Sequence, residues 1–311
     1  MAIRLWADLP SELISLIGDR LDIIDLFSFR SVCKGWNSAS STCSAQIESS
    51  ANQTPWFLLY GESSHCFLVS ETDRKYKINI PEMNGATCIA SKDGWLLLCR
   101  ERSMFFFCPF SGSKIDLPQF PKSEQCDLVA AFSSPPTSED CVVSVACLNE
   151  LKFELHVLYR GTNTWTVHEF NHLYLNTIKG AGYVDKTFHF YDDSNKFITF
   201  TPSLSQGQKF RPHRIVSASK ENQNYDILPF YLSRNSFERH SMNERLRLAE
   251  DVSVSTCGTV VPWDHLDRIF FNESISQQSE GQSQSQSQSR KQLKGVWINP
   301  RFYQVPPEMS W

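Results

Sequence analysis

The sequence predicts a multidomain protein of the α plus all-β class, with a short helical segment first and a β-rich body after it. Between residues 9 and 36 the apolar residues recur at helical spacing. From Trp56 onward they alternate, or form short runs between turn residues, as strands do. The chain has 311 residues with 41% hydrophobic and 21% charged content, which is ordinary for a globular protein of roughly two domains.

The first predicted helix begins near Pro10. Asp8 can cap a helix, and proline suits the first turn, where its missing N–H is no loss. Leu13, Ile17 and Leu21 follow at i, i+4 and i+8 and form one apolar stripe.

A second short helix is predicted from Leu26. Phe29, Val32, Cys33 and Trp36 lie at i, i+3, i+4 and i+7, which is again one face of a helix. Two such stripes can pack against each other as a hairpin.

That hairpin leaves large apolar residues unburied, namely Leu9, Pro10, Ile14, Leu16 and Trp36. Each large apolar side chain contributes roughly 1.5–3 kcal/mol when it is buried. Several such side chains in contact with water are unusual in a monomer, so a partner protein is expected here. The alternative is that they pack on the β-rich body.

The stretches LPSELISLIGDRL and DLFSFRSVCKGW resemble the F-box. The resemblance implies a three-helix segment over residues 1–45 that docks on the Skp adaptor of a cullin–RING ubiquitin ligase. By position it implies these adaptor-facing or hairpin-core residues: Leu9, Pro10, Leu13, Ile17, Leu21, Val32, Cys33 and Trp36. Gly35 departs mildly from the pattern, because a helix former would be better there by ~1 kcal/mol.

The polar stretch after the F-box-like segment predicts a linker at residues 46–55, with the β-rich body over 56–311. Six strands are predicted at 56–60, 66–69, 76–80, 94–99, 104–108 and 114–117. Asp93-Gly94 and Ser111-Gly112-Ser113 are typical turn sequences. Residues 151–157 alternate strictly and return through a turn at 160–163 into 165–167, which predicts a hairpin.

The later part of the chain is less regular. Residues 238–251 fit either a short helix or a strand. The Ser/Gln run predicts a disordered insertion at 274–292, because it cannot bury a core. Gly295 to Ile298 is apolar again, which predicts a strand that returns to the β-body.

Short strands with frequent turns fit a sandwich, a barrel or a propeller. Gly94, Gly182 and Gly258 precede similar apolar runs at spacings of about 88 and 76 residues, which modestly favours a propeller with two blades per interval. CPFSGSKIDLP at 108–118 is similar to a hairpin of kelch-like, F-box-associated propellers, although Cys108 and Phe110 depart from it. Residues 85–300 resemble the kelch-like C-terminal domain of a plant F-box family. The resemblance implies a kelch-like β-propeller with degenerate blades, which would hold the recognition surface.

One catalytic motif needs weighing, because His168 to His172 reads H-E-x-x-H, as in zinc hydrolases. That chemistry needs a helix to bring both histidines to one Zn²⁺. The motif follows a predicted strand, where residues four apart are separated by roughly 13 Å. No catalytic residue, metal or cofactor is therefore expected. The ten cysteines form no C-x-x-C pair and are expected to be buried free thiols.

Function follows as an expectation from the F-box resemblance. The chain would be a non-catalytic substrate receptor that binds a Skp-type adaptor, and through it a cullin–RING ligase, and that holds an unknown protein substrate. The alternatives are an adaptor-binding scaffold or decoy, or a zinc hydrolase acting through residues 168–172. A net charge of −4 disfavours nucleic acid. No apolar run nears ~18 residues, so no membrane contact is expected, and the location would be cytoplasmic or nuclear.

Overall fold

The structure is a computed structural model. It describes residues 6, 9–40, 43, 56–70, 74–121, 128–148, 152–171, 178–184, 186–192, 196–202, 215–217, 252–256, 259–261, 291–303, 305–306 and 309–311. The sequence predictions at 46–55, at 238–251 and at Gly258 lie outside these residues, as does the predicted insertion up to residue 290. Its predicted end at 292 is wrong, because Lys291 and Gln292 begin the strand Lys291–Ile298 and pair with Val252 and Ser253.

Three short helices open the described chain: α1 (Ser11–Gly18), α2 (Ile23–Ser31) and α3 (Lys34–Ala39). Pro10 is the N-cap of α1 rather than a residue of its first turn, and Asp8 lies outside the described residues. The second helix begins at Ile23, before the predicted Leu26. It starts there because the Asp22 carboxylate accepts hydrogen bonds from two backbone N–H groups of the first turn.

The predicted second stripe is wrong as one continuous helix. The chain breaks after Val32 because Cys33 takes an extended backbone conformation, with φ −162°. Its Sγ then accepts a hydrogen bond from the Trp36 N–H at 3.4 Å and caps α3. The N-terminal segment therefore has three helices, as the F-box resemblance implies.

The β-body of the described residues contains eighteen strands. Their bounds are β1 (Trp56–Tyr60), β2 (His65–Val69), β3 (Lys75–Asn79), β4 (Thr87–Lys92), β5 (Trp95–Arg100), β6 (Ser103–Cys108), β7 (Ser113–Asp116), β8 (Leu128–Phe132), β9 (Val142–Leu148), β10 (Lys152–Tyr159), β11 (Thr166–Asn171), β12 (Ile178–Val184), β13 (Thr187–Asp192), β14 (Lys196–Phe200), β15 (Ile215–Ser217), β16 (Val252–Thr256), β17 (Thr259–Val261) and β18 (Lys291–Ile298).

These strands form four sheets. Three are antiparallel meanders of consecutive strands, β4 to β7, β8 to β11 and β12 to β15. The remaining sheet has the order β17-β16-β18-β1-β2-β3, so it joins strands from both ends of the body. The predicted returning strand is confirmed: β18 pairs antiparallel with β1, with Trp56 opposite Ile298 and Tyr60 opposite Lys294.

The arrangement of the sheets is propeller-like. β18, β4, β8 and β12 lie side by side in that order, so one strand of each sheet faces the next sheet. In the three four-stranded sheets the other strands follow outward from β4, β8 and β12 in chain order, whereas in the first sheet β1 to β3 lie on one side of β18 and β16 and β17 lie on the other. The predicted class, short N-terminal helices followed by a propeller-like body, is confirmed.

The predicted repeat is wrong in that Gly94 and Gly182 do not occupy equivalent positions in their hairpins. Gly94 lies in the β4–β5 hairpin, where Asp93 and Gly94 both have positive φ, as a two-residue turn requires. Gly182 lies inside β12, opposite His189, and takes no part in a turn. Lys186, with φ 62°, occupies the β12–β13 turn instead. The two hairpins do lie two sheets apart, as the spacing implied.

Two apolar clusters fill the described body. The larger lies between the first three sheets and contains Trp95, Phe106 and Phe132, with ring centroids of Phe106 and Phe132 4.9 Å apart. The smaller lies between the third and fourth sheets, around Phe153 and Phe190. The N-terminal helices belong to the larger cluster through Ile14, Ile23 and Leu26.

Two further properties concern the whole described chain. Seven of its cysteines are free, but Cys147 is disulfide-bonded, so the free-thiol prediction is wrong at that position. None of the described helices has the length and apolar character needed to cross a membrane.

Candidate functional site

Helix α1 has one buried face and one exposed apolar face. Ile14 is 4% exposed, and Gly18, one turn later, is also buried. Leu13, Leu16 and Ile17 are 47%, 55% and 37% exposed. Residues spaced by three and four positions are neighbours on a helix surface, so these three side chains form one patch.

The orientation of α1 is fixed by the chain that follows α3. A Cβ on Gly18 would lie 2.7 Å from the Cys43 Sγ, so the glycine permits this close approach. The Cys43 thiol donates a hydrogen bond to the Ser15 carbonyl oxygen at 3.2 Å. Burial raises the pKa of the Cys43 thiol and keeps it protonated for that bond. The Ser15 hydroxyl donates to the Ala39 carbonyl oxygen at 2.5 Å.

Further apolar side chains are exposed outside α1. Val32, between α2 and α3, is 60% exposed, and Trp6 is 74% exposed. Pro10 is exposed at the start of α1. The apolar set, as we call these exposed residues together, consists of Trp6, Pro10, Leu13, Leu16, Ile17 and Val32.

The residues implied by the F-box resemblance divide into two groups. Pro10, Leu13, Ile17 and Val32 belong to the apolar set. Leu9, Leu21, Cys33 and Trp36 are half-buried. Leu9, Leu21 and Trp36 pack against the larger apolar cluster, and the Trp36 ring lies 4.4 Å from the Phe29 ring. The second group therefore supports the helices from within.

Sequence reasoning missed two members of the apolar set. Leu16 counted as unburied but was not assigned to the site, although it lies at i+3 from Leu13. Trp6 precedes the described part of α1, and no periodicity marked it. Conversely, Ile14 was expected to be unburied and is 4% exposed, because the buried stripe of α1 runs through positions 14 and 18.

Helix α2 contacts the β-body, through residues other than those for which the sequence left this alternative open. The rings of Phe27 and Phe110 lie 6.0 Å apart, and the Arg30 guanidinium lies 3.4 Å from the centre of the Phe302 ring. A cleft of about 390 Å³ separates the helices from the body beside these contacts. The exposed patch of α1 takes no part in them, since the apolar set remains exposed with the body in place.

The H-E-x-x-H motif does not form a helix. His168 to Asn171 lie in β11, and His172 lies outside the described residues. The His168 ring lies 6.0 Å from that of Phe200, and burial lowers the pKa of His168. Across the residues that the structure describes, no group of three His, Cys, Asp or Glu side chains could hold a metal ion.

Both the helical segment and the β-body match models of known protein families. The family model for the KIB1-4 beta-propeller matches residues 66–261. The chain belongs to this family. The model for the F-box domain matches residues 6–45, which include all three helices and the apolar set. This KIB1-4 beta-propeller protein therefore carries an F-box ahead of its propeller-like body.

Its relatives include plant F-box proteins. The F-box/kelch-repeat protein At1g57790 of Arabidopsis thaliana is 29% identical over 208 residues, 65% of this chain and 57% of the relative. The F-box protein At1g49360 of the same plant is 30% identical over 197 residues, 58% of this chain and 40% of the relative. The matched region thus spans about half the length of these relatives or less. A solved structure, YCF48 bound to D1 peptide, matches with 13% identity over 50% of each chain and a TM-score of 0.28, which is too low to support an argument.

Proposed function

We propose that this protein is the substrate-recognition subunit of a Skp–cullin–F-box ubiquitin ligase. The F-box, over residues 1–45, binds a Skp-type adaptor through the apolar set. The propeller-like body, over 56–311, binds a protein substrate. A linker at 46–55 joins them, and the Ser/Gln run, which the sequence placed at 274–292, is an insertion in the body that ends before β18 begins at Lys291. The complex acts in the cytoplasm or the nucleus.

The observation that supports this proposal most directly is the exposure of the apolar set on folded helices. Leu13, Leu16, Ile17 and Val32 remain 37–60% exposed although their helices are held by an internal core and by the body. The neighbouring side chains of Leu13, Leu16 and Ile17 on α1 form an exposed apolar patch of the kind that marks a protein–protein interface. The F-box match over the same residues supports a Skp-type adaptor as the partner.

The proposed mechanism is proximity. The receptor holds its substrate beside the ubiquitin-loaded enzyme, which raises their effective concentration and lowers the entropic cost of the transfer. The role needs no catalytic residue, metal or cofactor in this chain.

Co-expression with a Skp-type adaptor tests the proposal. The expected result is a stable one-to-one complex for the wild type and greatly weakened binding for Leu13→Asp/Val32→Asp. Arg100→Asp is a matched control, because Arg100 is exposed on the β-body and outside the F-box. A well-folded wild type that forms no complex at micromolar concentration would refute the proposal.

Recruitment of a cullin by the adaptor complex tests the ligase role separately. A receptor that binds the adaptor but excludes the cullin would be a scaffold or decoy rather than a ligase subunit.

A further inference from the structure

The chain that follows β18 crosses from the first sheet onto the second at residues 299–303. The Tyr303 ring lies 5.3 Å from the Trp95 ring. The Ser113 hydroxyl donates to the Tyr303 carbonyl oxygen at 2.9 Å, and the Cys108 thiol donates to the Arg301 carbonyl oxygen at 3.4 Å. Gly94 makes room for this crossing, because a Cβ there would lie 2.8 Å from the Arg301 Cβ.

The far end of the segment reaches the third sheet. The Trp311 indole N–H donates to the Tyr159 carbonyl oxygen at 3.1 Å, and the Arg160 guanidinium lies 5.1 Å from the Trp311 ring. The same ring stacks on Phe106 of the second sheet, with centroids 5.8 Å apart. Trp311 is 8% exposed, so its side chain is part of the body. The segment therefore links three sheets.

Within the first of these anchors, between Arg301 and Tyr303, Phe302 contacts the F-box. The Arg30 guanidinium of α2 lies over its ring, with 3.4 Å from Cζ to the ring centre. The same guanidinium donates from Nη2 to the Ser40 carbonyl oxygen at 2.7 Å and to the Cys43 carbonyl oxygen at 3.2 Å. Arg30 thus joins α2, the end of α3 and the chain that supports α1 to one aromatic ring of the body.

We propose that the described residues after β18, 299–303, 305–306 and 309–311, form a positioning strap that fixes the F-box on the propeller-like body, with Arg30 and Phe302 as its positioning residues. Domains joined by a short polar linker ordinarily move relative to each other unless their interface prevents it. Here Phe302 holds α2 from the strap while Phe110 holds Phe27 from the β6–β7 turn. The F-box therefore takes one orientation on the body.

This inference deepens the proposed function and gains its meaning from it. A ligase transfers ubiquitin only to residues within reach of the loaded enzyme, so a fixed F-box fixes which part of a bound substrate is modified. A substrate receptor with a mobile F-box would select lysines less strictly.

A distance measurement tests the strap in the full chain. Spin labels on non-canonical amino acids at Ser38 and Glu101, both exposed, report the separation of the F-box from the body without labelling the native thiols. The wild type should give one narrow distance distribution. Phe302→Ala should broaden it about two-fold or more, because the face that Arg30 packs on is lost. Phe302→Leu serves as a second variant, since it keeps the bulk of the side chain and removes only the aromatic face.

Two controls make the result specific. Phe302→Tyr keeps the aromatic face and should restore the narrow distribution, and Pro306→Ala changes an exposed side chain of the same segment and should have no effect. Slow hydrogen exchange in α1 to α3 of each variant establishes that the helices remain folded. A narrow, unshifted distribution in both Phe302→Ala and Phe302→Leu would overturn the proposal. Adaptor binding is measured separately, so loss of the proposed ligase role would leave the distance result unaffected.

Discussion

Alanine substitutions at two residues of α1, one buried and one exposed, should affect fold stability and adaptor binding separately. Ile14 is 4% exposed and Leu16 is 55% exposed, two positions apart on the same helix. Replacing each by alanine removes a comparable amount of apolar surface. In one case that surface lies in the protein core, and in the other it faces the proposed adaptor.

The substitution at Ile14 should reduce mainly the stability, and the substitution at Leu16 should reduce mainly the adaptor binding. Ile14→Ala should lower the free energy of unfolding by ~2–5 kcal/mol, the usual cost of a cavity in a packed core. Leu16→Ala should change it by less than ~0.5 kcal/mol, as is usual at the surface. Burying the exposed half of Leu16 against a partner contributes ~1 kcal/mol, so Leu16→Ala should weaken adaptor binding about five-fold. Ile14→Ala should leave the affinity of the folded protein nearly unchanged.

Urea denaturation and calorimetric titration with the adaptor measure the two quantities on the same samples. The triple variant Leu13→Ala/Leu16→Ala/Val32→Ala should lose ~2–4 kcal/mol of binding and little stability. The reasoning fails if Leu16→Ala destabilises the fold as much as Ile14→Ala does. It also fails if Ile14→Ala weakens binding more than Leu16→Ala under conditions where both are folded.

Three further predictions concern the support of the helices and the β-body. Gly18→Ala should lower the free energy of unfolding by ~1–3 kcal/mol, because its Cβ would lie 2.7 Å from the Cys43 Sγ. Urea denaturation measures this loss, and Cys43→Ala in the same chain should restore most of it. An unaltered denaturation midpoint for Gly18→Ala would contradict the close approach. Burial raises the pKa of Cys66 to about 12 and that of Cys141 to about 11, above the ordinary 9.0. Since the folded state keeps these thiols protonated, their contribution to stability is complete below pH 9 and is lost as the pH rises from 9 through the pKa values of the folded state. Unfolding curves measured between pH 8 and 11 should show the free energy of unfolding falling with pH, and falling less steeply in Cys66→Ala. An equally steep fall in both proteins would argue against the buried Cys66 thiol. Purified protein should contain less than ~0.1 zinc per chain by elemental analysis, because His168 lies in the strand β11 and not in a helix. Stoichiometric zinc in the wild type that is lost in His168→Ala would contradict this prediction.

Much of the fold was predictable because its strands carry strong local signals. Trp56 to Tyr60 and the 104–108 run are aromatic-rich stretches bounded by turns, and both are strands in the structure. The hairpin turn at 160–163 was likewise predicted, and Gly161 in it has a positive φ of 78°. By contrast, β8 and β9 were not assigned, because they are buried on both faces and show no alternation.

The errors in the F-box have two physical sources. A sequence stripe cannot show that Cys33 turns its side chain back as a helix cap, so one helix was predicted where there are two. It also cannot show which of two overlapping stripes of α1 is buried. The choice between Ile14 and Ile17 is made by Cys43, 25 or more residues away in the chain, whose approach needs Gly18. The repeat predicted from Gly94 and Gly182 failed for a similar reason. The positive φ of a turn is normally inferred from a glycine in the sequence, but in the β12–β13 turn Lys186 adopts it.

The pairing of β18 with β1 has a consequence for folding order. Leu58 and Val296 lie opposite each other although they are roughly 240 residues apart in the chain, so this contact has an unusually large closure entropy. During synthesis the F-box and β1 leave the ribosome long before β18 exists. Until then the whole of β1, five residues that are all buried in the finished protein, has an open hydrogen-bonding edge. A nascent or truncated chain would thus display its F-box while the first sheet is incomplete and prone to aggregate, so the pairing of β18 is the step that closes this edge.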